Sequence, residues 1–313
     1  MTFVEGPVRA SVPATSANLG PGFDTLGLAL DLRDELEAEI LPDGLVVEVT
    51  GEGAGAVPLD ERHLVVRSMR AAFDRLGQSP SGLRLSCRNV IPHARGLGSS
   101  SAAIVGGVWL ARELVAGGRL LLDDAGLLDL AATIEGHPDN VAPALLGGFV
   151  IAGRDDADGT GGPDGGFWAV PGSVDPRVSV VVFVPPTPVS TEAARGLLPA
   201  EVPHADAAAN AGRAALLVAA LSGRPEELLR GTEDRLHQAY REPAMPESLA
   251  LVSALRADGV PAVVSGAGPT VLAFSDGAGT TTTTALLDRC PAGWRALDLA
   301  VSGDGARSPG LEA

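Results

Sequence analysis

Apolar and polar positions alternate over Val8–Val12, Leu26–Leu32, Glu35–Ile40 and Leu45–Val49, which predicts a group of strands joined by turns. Between the first two, Pro13-Ala-Thr-Ser-Ala-Asn-Leu-Gly-Pro-Gly-Phe-Asp24 reads as a glycine-proline loop. The pattern changes at His63–Leu76, where Leu64, Val65, Met69, Ala72, Phe73 and Leu76 share one face of a helix. Gly82–Cys87 alternates again as a strand. Ser100–Ala116 is apolar almost all round, so a buried helix is predicted. Gly106 and Gly107 inside it each cost about 1 kcal/mol relative to alanine, which points to close packing against another backbone. Leu120–Ile134 predicts one amphipathic helix, ending in the acidic turn Glu135-Gly-His-Pro-Asp-Asn140. Val141–Leu146 and a strand to Ile151 follow.

The second half begins after a polar loop at Arg154–Gly166. The β-branched run Val178–Val184 predicts a buried strand. Thr191–Leu198 and Asp206–Leu221 read as helices, with shorter helical pieces at Pro225–Gly231, Arg235–Tyr240 and Glu247–Arg256. Strands are predicted at Val260–Val264, Val271–Phe274 and Trp294–Val301. A turn, Ser265-Gly-Ala-Gly-Pro-Thr270, separates the first two, and Thr280–Thr284 starts a helix reaching Arg289. The expected division is a first domain over residues 1–171, a second over 172–302 and a flexible tail over 303–313.

Composition narrows the chemistry. The 313 residues carry 23 basic against 39 acidic side chains, a net charge of −16, which argues against a nucleic-acid partner. Every basic side chain other than histidine is arginine; no lysine occurs. A Walker-type P-loop, a Schiff-base lysine and a protein-kinase-type lysine are thereby excluded. Cys87 and Cys290 lie far apart and near no metal-spaced histidine, so neither a disulfide framework nor a zinc site is expected. No basic-then-apolar leader and no membrane-length apolar run is present, and a cytoplasmic protein without membrane association is the expectation.

Three glycine-rich turns carry polar residues: 13–24, 92–101 and 265–270. The acidic turn 135–140 lies between the last two. Gly96, Gly98 and Ser99–Ser101 open the buried helix, whose unpaired N–H groups and dipole suit a phosphate. An ordinary helix cap has a similar sequence. Asn18 reads either as an Asx-type turn residue or as part of a substrate loop.

These stretches carry a resemblance. Pro92-His-Ala-Arg-Gly-Leu-Gly-Ser-Ser-Ser-Ala-Ala103 resembles the ATP-binding motif of the GHMP kinase superfamily, and Ser265–Thr270 resembles its third motif. Pro13–Gly27 and Glu135-Gly-His-Pro-Asp-Asn-Val-Ala-Pro143 are similar to the homoserine kinase branch. The resemblance implies an α+β fold of two domains, the first ribosomal-protein-S5-domain-2-like and the second ferredoxin-like. It implies ATP-dependent phosphorylation of the L-homoserine hydroxyl, in threonine biosynthesis, and it allows a homodimer, a state this family often adopts.

The resemblance also assigns residues. Pro92, His93, Ala94, Arg95, Gly96, Leu97, Gly98, Ser99, Ser100, Ser101 and Ala102 fall in the ATP loop. Ser100 and Glu135 would hold Mg²⁺, with Asp129 a competitor for the second place. Asn140 stands where several superfamily kinases carry a catalytic aspartate; an amide is no base at neutral pH, so positioning of the hydroxyl is expected, and Asp139 is the alternative base. Asn18, Asp24, His137, Asn140 and Gly266 are placed around the amino acid, with Asp24 as ammonium partner. Thr191 and Arg195, one helical turn apart, can face the same ligand, and Arg241 matches the family's second arginine. A guanidinium fork suits a carboxylate. Arg235 reads as a surface charge, and Ala239 departs from the proline common in relatives. The competing readings are a relative acting on an alcohol such as mevalonate, and a catalytically silent nucleotide-binding protein.

Overall fold

The computed structural model describes residues 3–155, 166–276 and 282–309. Strands β1 (Val8–Ala17) and β2 (Leu26–Leu41) form a long antiparallel pair. The two strands read separately from Leu26 to Ile40 are thus one, and β1 continues through Ala17, five residues into the expected loop. Next come β3 (Gly44–Gly51), α1 (Leu64–Arg75), β4 (Gly82–Asn89) and α2 (Ser99–Leu114). The predicted helix 120–134 is divided into α3 (Gly118–Leu121) and α4 (Asp124–Glu135). The division arises at Asp123, whose carboxylate accepts the Gly126 N–H at 2.8 Å and caps a new helix. After α5 (Val141–Leu146), β5 (Phe149–Arg154) and β6 (Phe167–Gly172) complete a six-stranded sheet. β2 is its spine: β1 lies along one edge of it, while β4 and β5 share the other. Helices α1 and α2 pack on each other, and α2 reaches β1, α4 and α5.

A second, four-stranded antiparallel sheet runs β10-β7-β9-β8, built from β7 (Ser179–Val184), β8 (Ala262–Val264), β9 (Val271–Ser275) and β10 (Arg295–Leu299). The helices around it are α6 (Thr191–Arg195), α7 (His204–Gly223), α8 (Leu228–Gly231), α9 (Pro246–Ala257) and α10 (Thr283–Leu287). β7 is buried, as its β-branched run predicts, and it is covered on both faces. Val180, Val182 and Val184 join the large core, while Val181 and Phe183 join a smaller one with Val252, Leu255 and Leu286. The loop expected at 154–166 lies mostly outside the described residues, as do Thr280 and Thr281; the helix that follows is capped by Thr282.

The expected flexible tail is a strap as far as it is described. After β10 the chain returns to the first sheet, bridging Val301 to Leu30 and Arg307 to Ser11. Ser302 accepts from Gly148 N at 2.7 Å and donates its own N–H to Ala29. The guanidinium of Arg33, on β2, donates to Ser11, Ser302 Oγ and the carbonyls of Asp304 and Gly305. Small residues let the strap lie close, and its backbone groups find partners in strands made some three hundred positions earlier. Residues 310–313 lie outside the described residues.

Candidate active site

The three glycine-rich turns meet. Thr15 N–H donates to Leu97 O at 3.1 Å, Gly266 N–H to Ala17 O at 3.1 Å, and Thr270 N–H to Arg95 O at 3.2 Å. Ser265 Oγ donates to Gly96 O and lies 2.8 Å from Ser16 Oγ, both serines being fully buried. The acidic turn joins through Thr15 Oγ1, which donates to Asn140 Oδ1 at 2.8 Å. Glycine is required at the contact itself: a Cβ on Gly96 would lie 2.2 Å from Ser265 O, and one on Gly98 would lie 1.9 Å from Thr15 Oγ1. The result is a cavity of about 270 Å³ between the two sheets.

One wall is the start of α2. Gly98, in the left-handed region at φ 70°, is its N-cap, and the first internal bond runs from Ala102 N–H to Gly98 O. The N–H groups of Ser99, Ser100 and Ser101 therefore have no partner within the helix, and Ser99 and Ser100 line the cavity. Opposite them stands Glu135, the last residue of α4. A carboxylate at a helix C-terminus is disfavoured by the dipole. Here Glu135 Oε1 accepts from Ser100 Oγ at 2.7 Å and from Ser101 Oγ at 2.9 Å, which offsets that cost. Asp129, the competitor, is elsewhere: its carboxylate accepts the Phe167 N–H at 3.1 Å at the start of β6.

The remaining ATP-loop residues divide. Ala94 and Gly96 line the same cavity, while His93 and Ala102 line a neighbouring one of about 270 Å³ that shares Ser99 and Ser100. That second cavity has an apolar side at Val57, Leu64 and Val65 and a polar end at Asn89 and Asp34. Asp34 is 5% exposed, and burial pushes its carboxyl up to about 6, against the pull of the Ile91 and Val90 N–H groups it accepts. Arg95 turns away, donating to the carbonyls of His93, Pro185 and Pro186. Pro92, Leu97 and Ser101 are buried beneath the loop.

The opposite wall holds the charged groups. Asn18, Asn140, His137, Thr191, Arg195, Arg241 and Gly266 all line the cavity. Asn18 has both ends of its amide engaged: Nδ2 donates to Gly266 O at 2.9 Å and Oδ1 accepts from Asp24 N–H at 3.0 Å. The amide braces the loop across six residues, a longer span than the expected Asx turn, and Asn18 also lines the cavity. Asp24 is bound by Arg195 through two bonds, 3.0 and 2.6 Å. The expected ammonium partner and carboxylate partner thus hold each other. Arg241 is only 1% exposed; it donates to Gly266 O at 3.0 Å and to His237 Nδ1 at 2.9 Å, and its Nε has no partner. Among the described residues no carboxylate lies within ion-pair distance of it. Burial first, and the Arg195 charge second, pull its pKa down to about 10. His237 accepts because burial keeps it neutral, its Nε2 bonding to Gly20 O.

His137 and Asp139 form a pair at 2.6 Å. Burial opposes charge on His137, but the Asp139 bond and its charge outweigh it and raise the imidazole pKa. Arg235 is the surface charge expected, paired with Asp206 at 2.9 Å. Sequence reasoning passed over Phe23 and Asp34. An aromatic ring inside an otherwise small-residue loop was the available signal for the first; nothing in the sequence marks the second, whose depth depends on the whole sheet. Among the described residues no cluster of three or more histidine, cysteine or carboxylate groups is assembled, and no helix is long and apolar enough to cross a membrane.

Residues 63–148 match the GHMP kinases N terminal domain, and residues 216–281 match the GHMP kinases C terminal domain. The chain is 59% identical to a homoserine kinase of Streptomyces coelicolor over 88% of this chain and 86% of the relative. It is 56% identical to that of Streptomyces avermitilis over 97% and 96%. Among solved structures, homoserine kinase from Cytophaga hutchinsonii superposes with a TM-score of 0.82 at 27% identity, covering 98% of each chain. Mevalonate kinase from L. major shares the fold, with a TM-score of 0.65 at 17% identity over 99% of this chain and 98% of that one. The chain belongs to the homoserine kinases, a branch of the GHMP kinase family.

Proposed function

We propose that the chain transfers the γ-phosphoryl group of ATP to the side-chain hydroxyl of L-homoserine, giving O-phospho-L-homoserine and ADP, and that the cavity between the sheets is where this happens. The observation that carries the reading is Arg241, a buried guanidinium with no carboxylate partner among the described residues, set across one cavity from the open N-terminus of α2. A zwitterionic amino acid suits it. The substrate carboxylate would engage Arg241 and Arg195 while the ammonium group takes Asp24, so each member of the existing ion pair exchanges its partner for a substrate group of the same charge as the one it releases. Mevalonate, with no ammonium group, leaves Asp24 unmatched.

The nucleotide would place its triphosphate on the N–H groups of Ser99–Ser101 and its base in the neighbouring cavity with the apolar side at Val57, Leu64 and Val65. The hydroxyl of Ser100 and the carboxylate of Glu135, 2.7 Å apart, are hard oxygen donors. They fit Mg²⁺, which takes one or two protein ligands and completes its shell with phosphate oxygens and water. When bound it would neutralise charge on the phosphates. The chain itself binds and aligns: Asn140, its Oδ1 held by Thr15, leaves its N–H₂ group to hold the hydroxyl oxygen in line with the γ-phosphorus. Asp139 is engaged with His137 and is assigned to orienting that ring rather than to proton abstraction. The O–H proton passes to solvent as the O–P bond forms and the bond to ADP breaks.

The test is ADP release by purified protein with Mg²⁺ and homoserine, mevalonate, galactose or threonine. Homoserine-dependent release well above the other three is expected; none with homoserine overturns the reading. The binding of ATP without any turnover would instead favour the silent nucleotide-binding protein.

A further inference from the structure

The two cavity arginines share a neighbour that carries no charge. Arg195 Cζ lies 5.4 Å from the centroid of the Phe23 ring, and Arg241 Cζ lies 5.8 Å from it. Both are within the range at which a guanidinium is attracted to an aromatic face. The same ring leans on His237, centroids 5.2 Å apart and planes 30° apart, and His237 in turn accepts from Arg241. Two like charges beside one another repel. The Asp24 carboxylate offsets this for Arg195, whereas the acceptors of Arg241 among the described residues, Gly266 O and His237 Nδ1, are neutral. The loop Pro21-Gly-Phe-Asp24 therefore supplies both the counter-charge of Arg195 and the ring beside it.

We propose that Phe23 is a positioning residue for the carboxylate of the substrate: its π face holds the Arg195 and Arg241 guanidinium groups side by side, so that both can grip one carboxylate. The inference rests on the homoserine reading above. Its physical content appears at the moment of exchange. When a substrate ammonium group takes Asp24, Arg195 loses its carboxylate partner, while its contact with the Phe23 ring does not have to be exchanged. An apolar side chain of similar bulk fills the space but offers no such attraction. Tyrosine keeps the face.

The experiment compares wild-type protein with Phe23→Leu, Phe23→Met and Phe23→Tyr, and with pentafluorophenylalanine placed at position 23, which nearly keeps the ring's shape and reverses the sign of its face. Homoserine and homoserinol, its analogue with the carboxylate reduced to an alcohol, are the substrates. Leucine, methionine and the fluorinated ring are expected to raise KM for homoserine about ten-fold. Their KM for ATP and kcat are expected to stay within about two-fold of wild type, and tyrosine to restore the wild-type KM. For homoserinol, kcat/KM should be the same in every variant, because no carboxylate is gripped. An unchanged homoserine KM with the fluorinated ring overturns the proposal, as does a homoserinol defect equal to that for homoserine. Because the fluorinated ring is nearly isosteric, it carries the test if leucine or methionine fails to fold. Wild-type protein without homoserine turnover overturns the functional reading and the inference that rests on it; wild-type turnover with insensitive variants overturns the inference alone.

Discussion

Asp24 and Arg195 show what a sequence holds and what it withholds. Their types announce opposite charges suited to an amino acid, but their 171-residue separation hides that they meet. The meeting matters for mutation. Arg195→Ala is expected to raise KM for homoserine about 10- to 100-fold, the scale of hydrogen bonds to a charged group, with KM for ATP nearly unchanged. Steady-state kinetics in both substrates checks this, and equal losses for both would refute the clamp. Asp34 gives the pH dependence. Its unfolded carboxyl titrates near 3.8 and its folded one near 6, so the folded state binds the proton more tightly between those values. Stability from this group is therefore greatest below 3.8, falls as pH rises through 6, and is lower above that by on the order of 3 kcal/mol. Asp34→Asn keeps an oxygen for the Val90 and Ile91 N–H groups and removes the buried charge. Its melting temperature should rise relative to wild type as pH goes from 4 to 7; a constant difference across that range would sink the argument.

Elements were legible where periodicity was long and local. The unbroken Val178–Val184 run is buried on both faces, and α1 presents the predicted face, with Val65, Met69 and Phe73 in the core. Boundaries set by single side chains were not: Asp123 ends one helix and caps another, a choice a continuous apolar pattern conceals. The paired glycines of α2 illustrate a correct reading that needed the structure to divide it. A Cβ on Gly107 would stand 2.6 Å from Val65 O and 2.8 Å from Ser68 Cβ, on the neighbouring helix, whereas one on Gly106 meets chiefly the end of the Leu36 side chain. Alanine gains about 1 kcal/mol of helix propensity at either position, but overpacking against backbone costs about 1–3 kcal/mol. Gly107→Ala should consequently lower the melting temperature by several degrees, and Gly106→Ala by less. A calorimetric scan of the two variants side by side tests the order, and a more damaging Gly106→Ala would contradict it.

At the scale of the whole molecule, the α+β class and the gathering of the turns followed from motifs, since each turn ends a regular element. The strap did not. Ser302–Ser308 has the composition of a loose tail, and its partners Ser11, Ala29 and Arg33 lie at the far end of the chain. A chain stopped after Val301 should lose three of the five hydrogen bonds of Arg33, those to Ser302, Asp304 and Gly305, and leave the open edge of β1 unmatched. Its midpoint in urea is expected to fall measurably while the m-value stays close to that of the full chain; an unchanged midpoint would show the strap to be ornamental. The strap also bears on how the protein is made. A ribosome emits the β1–β2 pair first and the segment that completes it only after both sheets have been synthesised. The first sheet therefore waits, incomplete, until the segment after β10 has been made. Its closure is among the longest-range contacts in the chain, and such contacts form slowly. Fusing residues 301–309 ahead of β1, by circular permutation, would reorder that wait.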